Sequence, residues 1–192
     1  MTPPGPAAPA RHERTAFVLT ASDQGAAATR PDTSGAGVAA RLEALGFTVE
    51  RSIVADDRAA IEDALRAAAE RHPLVVTTGG TGLTPRDVTP QATLAVLDYE
   101  VPGLAEAIRA DGRLSTPFAA LSRAVAGVRG RTLIVNLPGS PKGALESIEA
   151  IVPILDHALE TLAGPFDHGA AAATAATAAT PATATRTPEE AS

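Results

Sequence analysis

Two short runs, Leu74-Val75-Val76-Thr77-Thr78 and Thr132-Leu133-Ile134-Val135-Asn136, constrain the fold of this chain more than any other feature. A strand with one face in water alternates apolar and polar residues, because successive side chains point to opposite faces. These runs do not alternate, which is the form of a central parallel strand covered on both sides. Around them, Ala16-Phe17-Val18-Leu19-Thr20 is β-prone and Phe47 to Val54 alternates like a strand. Gly35 to Leu45 carries Val38, Leu42 and Leu45 at helical spacing, and Asp57 to Arg71 places Ile61 and Leu65 on one helical face with Asp57 at the cap. Further helices are expected at about 89 to 97 and 101 to 111, and a long one from about Lys142 to Leu162, in which Pro153 marks a kink or break. Strands alternating with helices predict an α/β domain, a sheet between helices whose sites lie at the carboxyl ends of its strands.

At 192 residues and 45% hydrophobic content the chain fits one domain, because about 150 residues bury roughly 70% of the surface they expose when unfolded. We place that domain at 15–164. Segments 1–14 and 165–192 are rich in Pro, Ala, Thr and charge without an apolar period, and are read as disordered. The net charge of −6 argues against a nucleic-acid partner, which needs clustered Lys and Arg. With no cysteine there is no disulfide, thiol nucleophile or thiolate metal site, and the four histidines lack metal-ligand spacing. The N-terminus lacks the apolar run of a signal peptide and no stretch of ~20 apolar residues offers a membrane span, so a cytoplasmic protein is expected.

Three strands run into polar or glycine-rich loops: Ala21-Ser22-Asp23-Gln24-Gly25, Gly79-Gly80-Thr81-Gly82 with Leu83 to Pro90, and Leu137-Pro138-Gly139-Ser140-Pro141-Lys142-Gly143. Parallel strands bring such loops to one edge. The glycines permit positive φ and close backbone approach, which turns N–H groups toward an anion, and a side chain at Gly80 is expected to block a ligand more than it disturbs the fold. Thr78, Thr81 and Ser140 add hydroxyls, and Lys142 adds a cation near the positive end of the last helix. Each glycine loop also reads as a plain tight turn, and Thr89-Pro90-Gln91 as a helix start with Thr at the cap. Asp56, Asp57 and Asp87 lie close enough to the loops to hold magnesium, or each caps a helix. The residues alone thus indicate a phosphorylated small molecule, with or without Mg²⁺.

Thr77 to Gly82, Arg86-Asp87-Val88-Thr89-Pro90 and Asn136 to Lys142 resemble the paired signature of the molybdopterin-binding domain of the Mog/MoaB family. The resemblance runs from about Thr15 to Gly164 and includes Ser22-Asp23, Asp32-Thr33-Ser34-Gly35 and Leu121-Ser122-Arg123. It implies a three-layer αβα sandwich with a mostly parallel central sheet, commonly assembled as a homotrimer. The activity it implies is molybdopterin adenylyltransferase, transferring AMP from ATP to the terminal phosphate of molybdopterin with release of pyrophosphate. By position, Asp87 and Asp56 take the catalytic roles and would hold Mg²⁺. Ser22, Asp23, Thr78, Gly79, Gly80, Thr81, Gly82, Ser122, Pro138, Gly139, Ser140, Pro141 and Lys142 take the binding of molybdopterin and nucleotide. Gln24 departs from the pattern, standing where the family frequently has Arg. A molybdenum insertase is the expected downstream partner.

Three other readings compete. Insertase relatives add further domains for which 192 residues leave no room. Competence-related or nicotinamide-nucleotide hydrolases usually carry Gly-Gly-Leu-Gly-Pro-Thr where this chain has Gly79-Gly80-Thr81-Gly82-Leu83-Thr84. A catalytically silent molybdopterin carrier shares every motif. Because residues 168–192 have no apolar period with which to dock, their removal should leave the melting temperature and activity nearly unchanged; a large drop in either would place that tract in the domain.

Overall fold

The computed structural model describes residues 14–164. The opening strand β1 (Thr15–Ala21) pairs in parallel with β2 (Thr48–Val54) on one side and with β3 (Leu74–Thr78) on the other. Next to β3 lies parallel β6 (Thr132–Leu137), then antiparallel β5 (Ala126–Arg129) and β4 (Tyr99–Glu100), giving the sheet order β2-β1-β3-β6-β5-β4. Every residue of β3 and β6 is buried, as expected of runs without a solvent face. The sheet is extended by β4 and β5, which no periodicity in the sequence announces; at two and four residues they are too short to show one.

The helices are α1 (Asp23–Ala26), α2 (Thr33–Ala44), α3 (Arg58–Ala69), α4 (Thr89–Leu94), α5 (Pro102–Ser115) and α6 (Pro141–Ala163). Strand alternation sends Val18, Val76 and Val135 to one face, where they pack with Val38, Leu42, Ile108, Ile148 and Ile151 of α2, α5 and α6. Phe17, Leu19, Val75 and Ile134 point the other way, against Ile61 and Leu65 of α3 and Ala92 of α4. The result is the three-layer sandwich with a mostly parallel sheet. Helix α6 runs without interruption past Pro153, so the break expected there is absent. No helix among the described residues is long and apolar enough to cross a membrane. Arg14 lies over the Phe47 ring at 4.5 Å and donates to Asp156 at 2.7 Å. Of the tracts expected to be disordered, 1–14 and 165–192, all but Arg14 fall outside the described residues.

Capping follows side-chain chemistry at most helix starts. Asp57 accepts the Ala60 amide at 2.9 Å and Ser140 the Gly143 amide at 3.2 Å. Helix α4 differs: its cap position is Val88, without a side-chain bond, and Thr89 sits inside the first turn, so Thr89 is not the cap. Asp32 caps α2 by accepting the Gly35 amide at 2.7 Å, and its carboxylate also takes Thr20 Oγ1 at 2.9 Å and Arg51 Nη2 at 2.8 Å. Only 5% of that side chain is exposed. Burial works to raise its pKa, but the Gly35 amide, Arg51 and Thr20 outweigh it and hold the carboxyl below its usual range. A depressed folded-state pKa stabilises above the unfolded value and ceases to do so as pH falls through the folded one. Asp32→Asn should therefore cost about 1–3 kcal/mol near neutral pH, and the gap to wild type should narrow as pH falls below the ordinary carboxylate range toward the lowered folded-state value. Thermal melts of both proteins across that range test this, and a gap that ignores pH would rule out the charge as its source.

Candidate active site

In the sheet Thr20 stands level with Thr78, and Thr78 with Leu137, so the loops after β1, β3 and β6 leave from one height. They enclose a cavity of about 480 Å³. Ser22 lines it after β1, Asp56 after β2, Gly79, Gly80, Thr84, Arg86 and Asp87 after β3, Gly139 and Ser140 after β6, and Arg30 to Ser34 at the start of α2. Gly79 and Gly80 have φ of +91° and +63°. A Cβ on Gly79 would overlap the Ala21 carbonyl, and one on Gly80 would overlap Thr89 Oγ1. A side chain at Gly80 would therefore disturb the loop as well as block a ligand, since the backbone itself requires glycine there. The second glycine loop meets the first directly, because a Cβ on Gly139 would stand 3.1 Å from the Gly79 α-carbon.

The acidic side of the cavity is a linked set. Asp23 and Asp56 bond reciprocally, each carboxylate accepting the other's amide at 3.0 Å. Arg86 donates to Asp23 from Nε at 3.1 Å and from Nη2 to both carboxylate oxygens at 2.6 and 2.5 Å, and this guanidinium together with the Asp56 amide keeps the Asp23 carboxyl below its usual range. Asp56 has the opposite tendency: burial pushes it up, the Asp23 amide only partly offsets this, and the charges of Asp23 and Asp87 push further. Asp87 folds back on its own loop, accepting the Thr84 amide at 2.8 Å and Thr84 Oγ1 at 2.6 Å. Burial acts to raise its pKa, but the Thr84 hydroxyl and amide, the Gly82 amide and the Arg123 charge prevail and lower it. Neither Asp56 nor Asp87 caps a helix, since α3 is capped by Asp57 and the cap position of α4 is Val88.

The residues singled out from sequence divide into groups. Ser22, Asp56, Gly79, Gly80, Asp87, Gly139 and Ser140 line the main cavity. Thr81, Gly82, Ser122 and Pro138 line a second, mostly apolar cavity of about 270 Å³, which Ser140 also borders and which Phe118 and Leu121 wall. Asp23 holds Arg86 from outside the main cavity, and Thr78 is wholly buried beneath the glycine loop, 3.1 Å from Thr20 Oγ1. Pro141 lies in the first turn of α6, and Lys142 is 80% exposed with its Nζ 3.6 Å from Glu146, along the helix. Sequence reasoning missed Arg30, Asp32, Ser34, Thr84 and Arg86 as wall residues. The Asp-Thr-Ser-Gly motif was the available signal for two of them, and the Arg beside Asp87 for another.

The chemistry on offer is specific in kind. Loop N–H groups and two arginines suit phosphate, while Asp56 and Asp87 suit a cation carried with it. Among the described residues no cluster of three or more His, Cys, Asp or Glu could hold a metal by itself.

Comparison with known proteins agrees with this geometry. Residues 17–157 match the family described as "Probable molybdopterin binding domain". The chain is 39% identical over 156 residues to the molybdopterin adenylyltransferase of Helicobacter pylori strain J99, covering 78% of this chain and 88% of that one. In structure it resembles the molybdopterin biosynthesis enzyme MoaB from Thermus thermophilus, with TM-score 0.74, 50% identity and coverage of 80% of this chain and 99% of that chain. It is likewise similar to the molybdopterin biosynthesis Mog protein from Mycobacterium ulcerans, with TM-score 0.74, 43% identity and coverage of 78% and 99%. The chain therefore belongs to the molybdopterin-binding-domain family of Mog and MoaB proteins.

Proposed function

We propose that this protein is an enzyme of molybdenum-cofactor biosynthesis that transfers AMP from ATP to the terminal phosphate of molybdopterin. The observation that carries the reading is the convergence of Asp56 and Asp87 on a cavity floored by two touching glycine loops. The 39% identity to a protein named molybdopterin adenylyltransferase supports the reaction type. A phosphate oxygen of molybdopterin attacks the α-phosphorus of ATP, a P–O bond forms there, and the bond to the bridging oxygen of the β-phosphate breaks as pyrophosphate leaves. No covalent enzyme intermediate is needed.

Both reactants are anions, so the protein's work is placement and charge compensation. The loop amides after β3 and β6 hold phosphate oxygens, and Arg30 and Arg86 supply positive charge at the cavity wall. The donor set fits magnesium, which binds through one or two carboxylates completed by substrate phosphates. Asp56 and Asp87 would hold it, and the burial that chiefly raises the Asp56 pKa, together with the smaller repulsion from Asp23 and Asp87, disfavours a bare charge in a way a bound cation would relieve. Bound there, Mg²⁺ would neutralise charge developing on the triphosphate. A homotrimer in the cytoplasm, handing its product to a molybdenum insertase, completes the reading.

Asp87→Asn tests it. Asn retains an oxygen for the Thr84 donors but loses the charge, so the variant should bind molybdopterin as wild type does while adenylyl transfer falls about a hundredfold or more. The measurement is single-turnover transfer with molybdopterin, ATP and Mg²⁺, beside matched thermal melts. Equal rates would remove Asp87 from catalysis, and inactivity of wild type under saturating substrates would favour the carrier.

A further inference from the structure

The loop that presents Asp87 is held from behind by one side chain that lines neither cavity. Arg123 follows the short 3₁₀ turn Pro117–Leu121 and is half-buried. Its backbone amide donates to the Thr81 carbonyl at 3.0 Å, its Nε donates to the Gly82 carbonyl at 2.6 Å, and its Nη2 donates to the Asp87 carbonyl. One residue thus ties down both ends of the stretch from Thr81 to Asp87. Among the described residues it makes no ion pair, so its guanidinium is committed to main-chain oxygens.

On the cavity side the same stretch is closed by the Asp87 carboxylate, which takes both Thr84 donors. Gly82 presses on that carboxylate so closely that a Cβ there would lie 3.1 Å from Asp87 Oδ2. The carboxylate can keep this position only while the Gly82 and Asp87 main chains stay at a set separation. A planar fork bridging their two carbonyls imposes that separation, whereas a lysine ammonium, a single point on a flexible stem, does not.

We propose that Arg123 is the positioning residue of Asp87, setting where its carboxylate stands in the cavity without touching substrate. That this matters for catalysis rests on the adenylyl-transfer reading. The placement itself rests on geometry alone.

The test uses the full chain with Arg123→Lys and Arg123→Gln, each alone and combined with Asp87→Asn. The Thr84 amide, protected by the Asp87 carboxylate, should exchange with deuterium at least about tenfold faster in both Arg123 variants, while Val75 and Val76 in β3 keep wild-type rates. In single-turnover transfer the rate at saturation should fall at least about tenfold with half-saturating substrate concentrations within about threefold of wild type. Lysine should recover part of what glutamine loses. In the Asp87→Asn background neither substitution should slow transfer further, because a residue acting through Asp87 has nothing left to place.

Wild-type exchange at Thr84 in both variants overturns the proposal, as does a full additive loss of rate in the double variants. If Arg123→Gln fails to fold, Arg123→Lys alone decides by the same two measurements. A wild-type protein without activity would overturn adenylyl transfer instead, and the exchange rates would still decide whether Arg123 places Asp87.

Discussion

The polar end of the sheet depends on one buried charge, the Asp32 carboxylate. An ionised carboxylate only accepts hydrogen bonds, so the Thr20 hydroxyl must spend its single proton on Asp32. Thr20 can then only accept from Thr78, 3.1 Å away, and Thr78 in turn has no proton left for anything above it. Ser34, 3.4 Å from both Asp32 and Thr78, has a single hydroxyl proton for these two acceptors and donates to one of them at a time. A single charge thus orients hydroxyls on β1, β3 and α2 together. The floor beneath Gly79 and Gly80 consequently offers lone pairs rather than protons, and an anion in the cavity must take its donors from the loop main chain and from wall side chains such as Arg30 and Arg86. That makes the positive φ values of Gly79 and Gly80 part of the binding chemistry as well as of the turn.

A second buried polar link works in the same way one strand further on. Asn136 donates to Thr77 Oγ1 at 3.0 Å and to Thr93 Oγ1 at 2.9 Å while accepting the Val125 amide at 3.3 Å. It joins β3, β6 and α4 and fixes the segment leading into β5. Between them, Asp32 and Asn136 peg the ends of the central strands, so the loops that follow leave from a rigid edge. Precise placement of small loops requires such an edge, because a site built on mobile segments cannot hold reacting groups to a fraction of an ångström.

What could be read from sequence follows from the range of the forces involved. Strands β3 and β6 were legible because burial on both faces leaves a local mark, and α2 and α3 because their apolar spacing does. Strands β4 and β5 left none, and Thr89-Pro90 imitated a cap that the main chain places one residue earlier. In the site, glycines and acids declared themselves by type, but their assignments turned on partners distant in sequence. Asp23 looked like a substrate contact until Arg86, 63 residues on, was found to occupy it. Arg123, 36 residues from Asp87, carried no sign of its task beyond membership of a motif. The charge of Lys142 was plain from sequence, whereas its direction along α6 depended on Glu146 and the helix.

The two carboxylates in the cavity are pushed in opposite directions, and the difference defines a division of labour. Asp87 is surrounded by donors, the Thr84 hydroxyl and amide and the Gly82 amide, which hold its carboxyl below the usual range. Asp56 has one amide donor and the nearby Arg86 charge against burial and two like charges, and burial prevails, so its negative charge is less compensated than that of Asp87. Under the proposed reaction, a cation arriving with a phosphate would gain most at Asp56, while Asp87, whose position the loop specifies, would set its geometry. On the proposed reading, an acidic protein of net charge −6 would receive anionic substrates through loop amides, Arg86 and the cation the substrates carry, and not through overall charge. Separating a responsive carboxylate from a fixed one in a single cavity is how two like groups can take different roles at one pH.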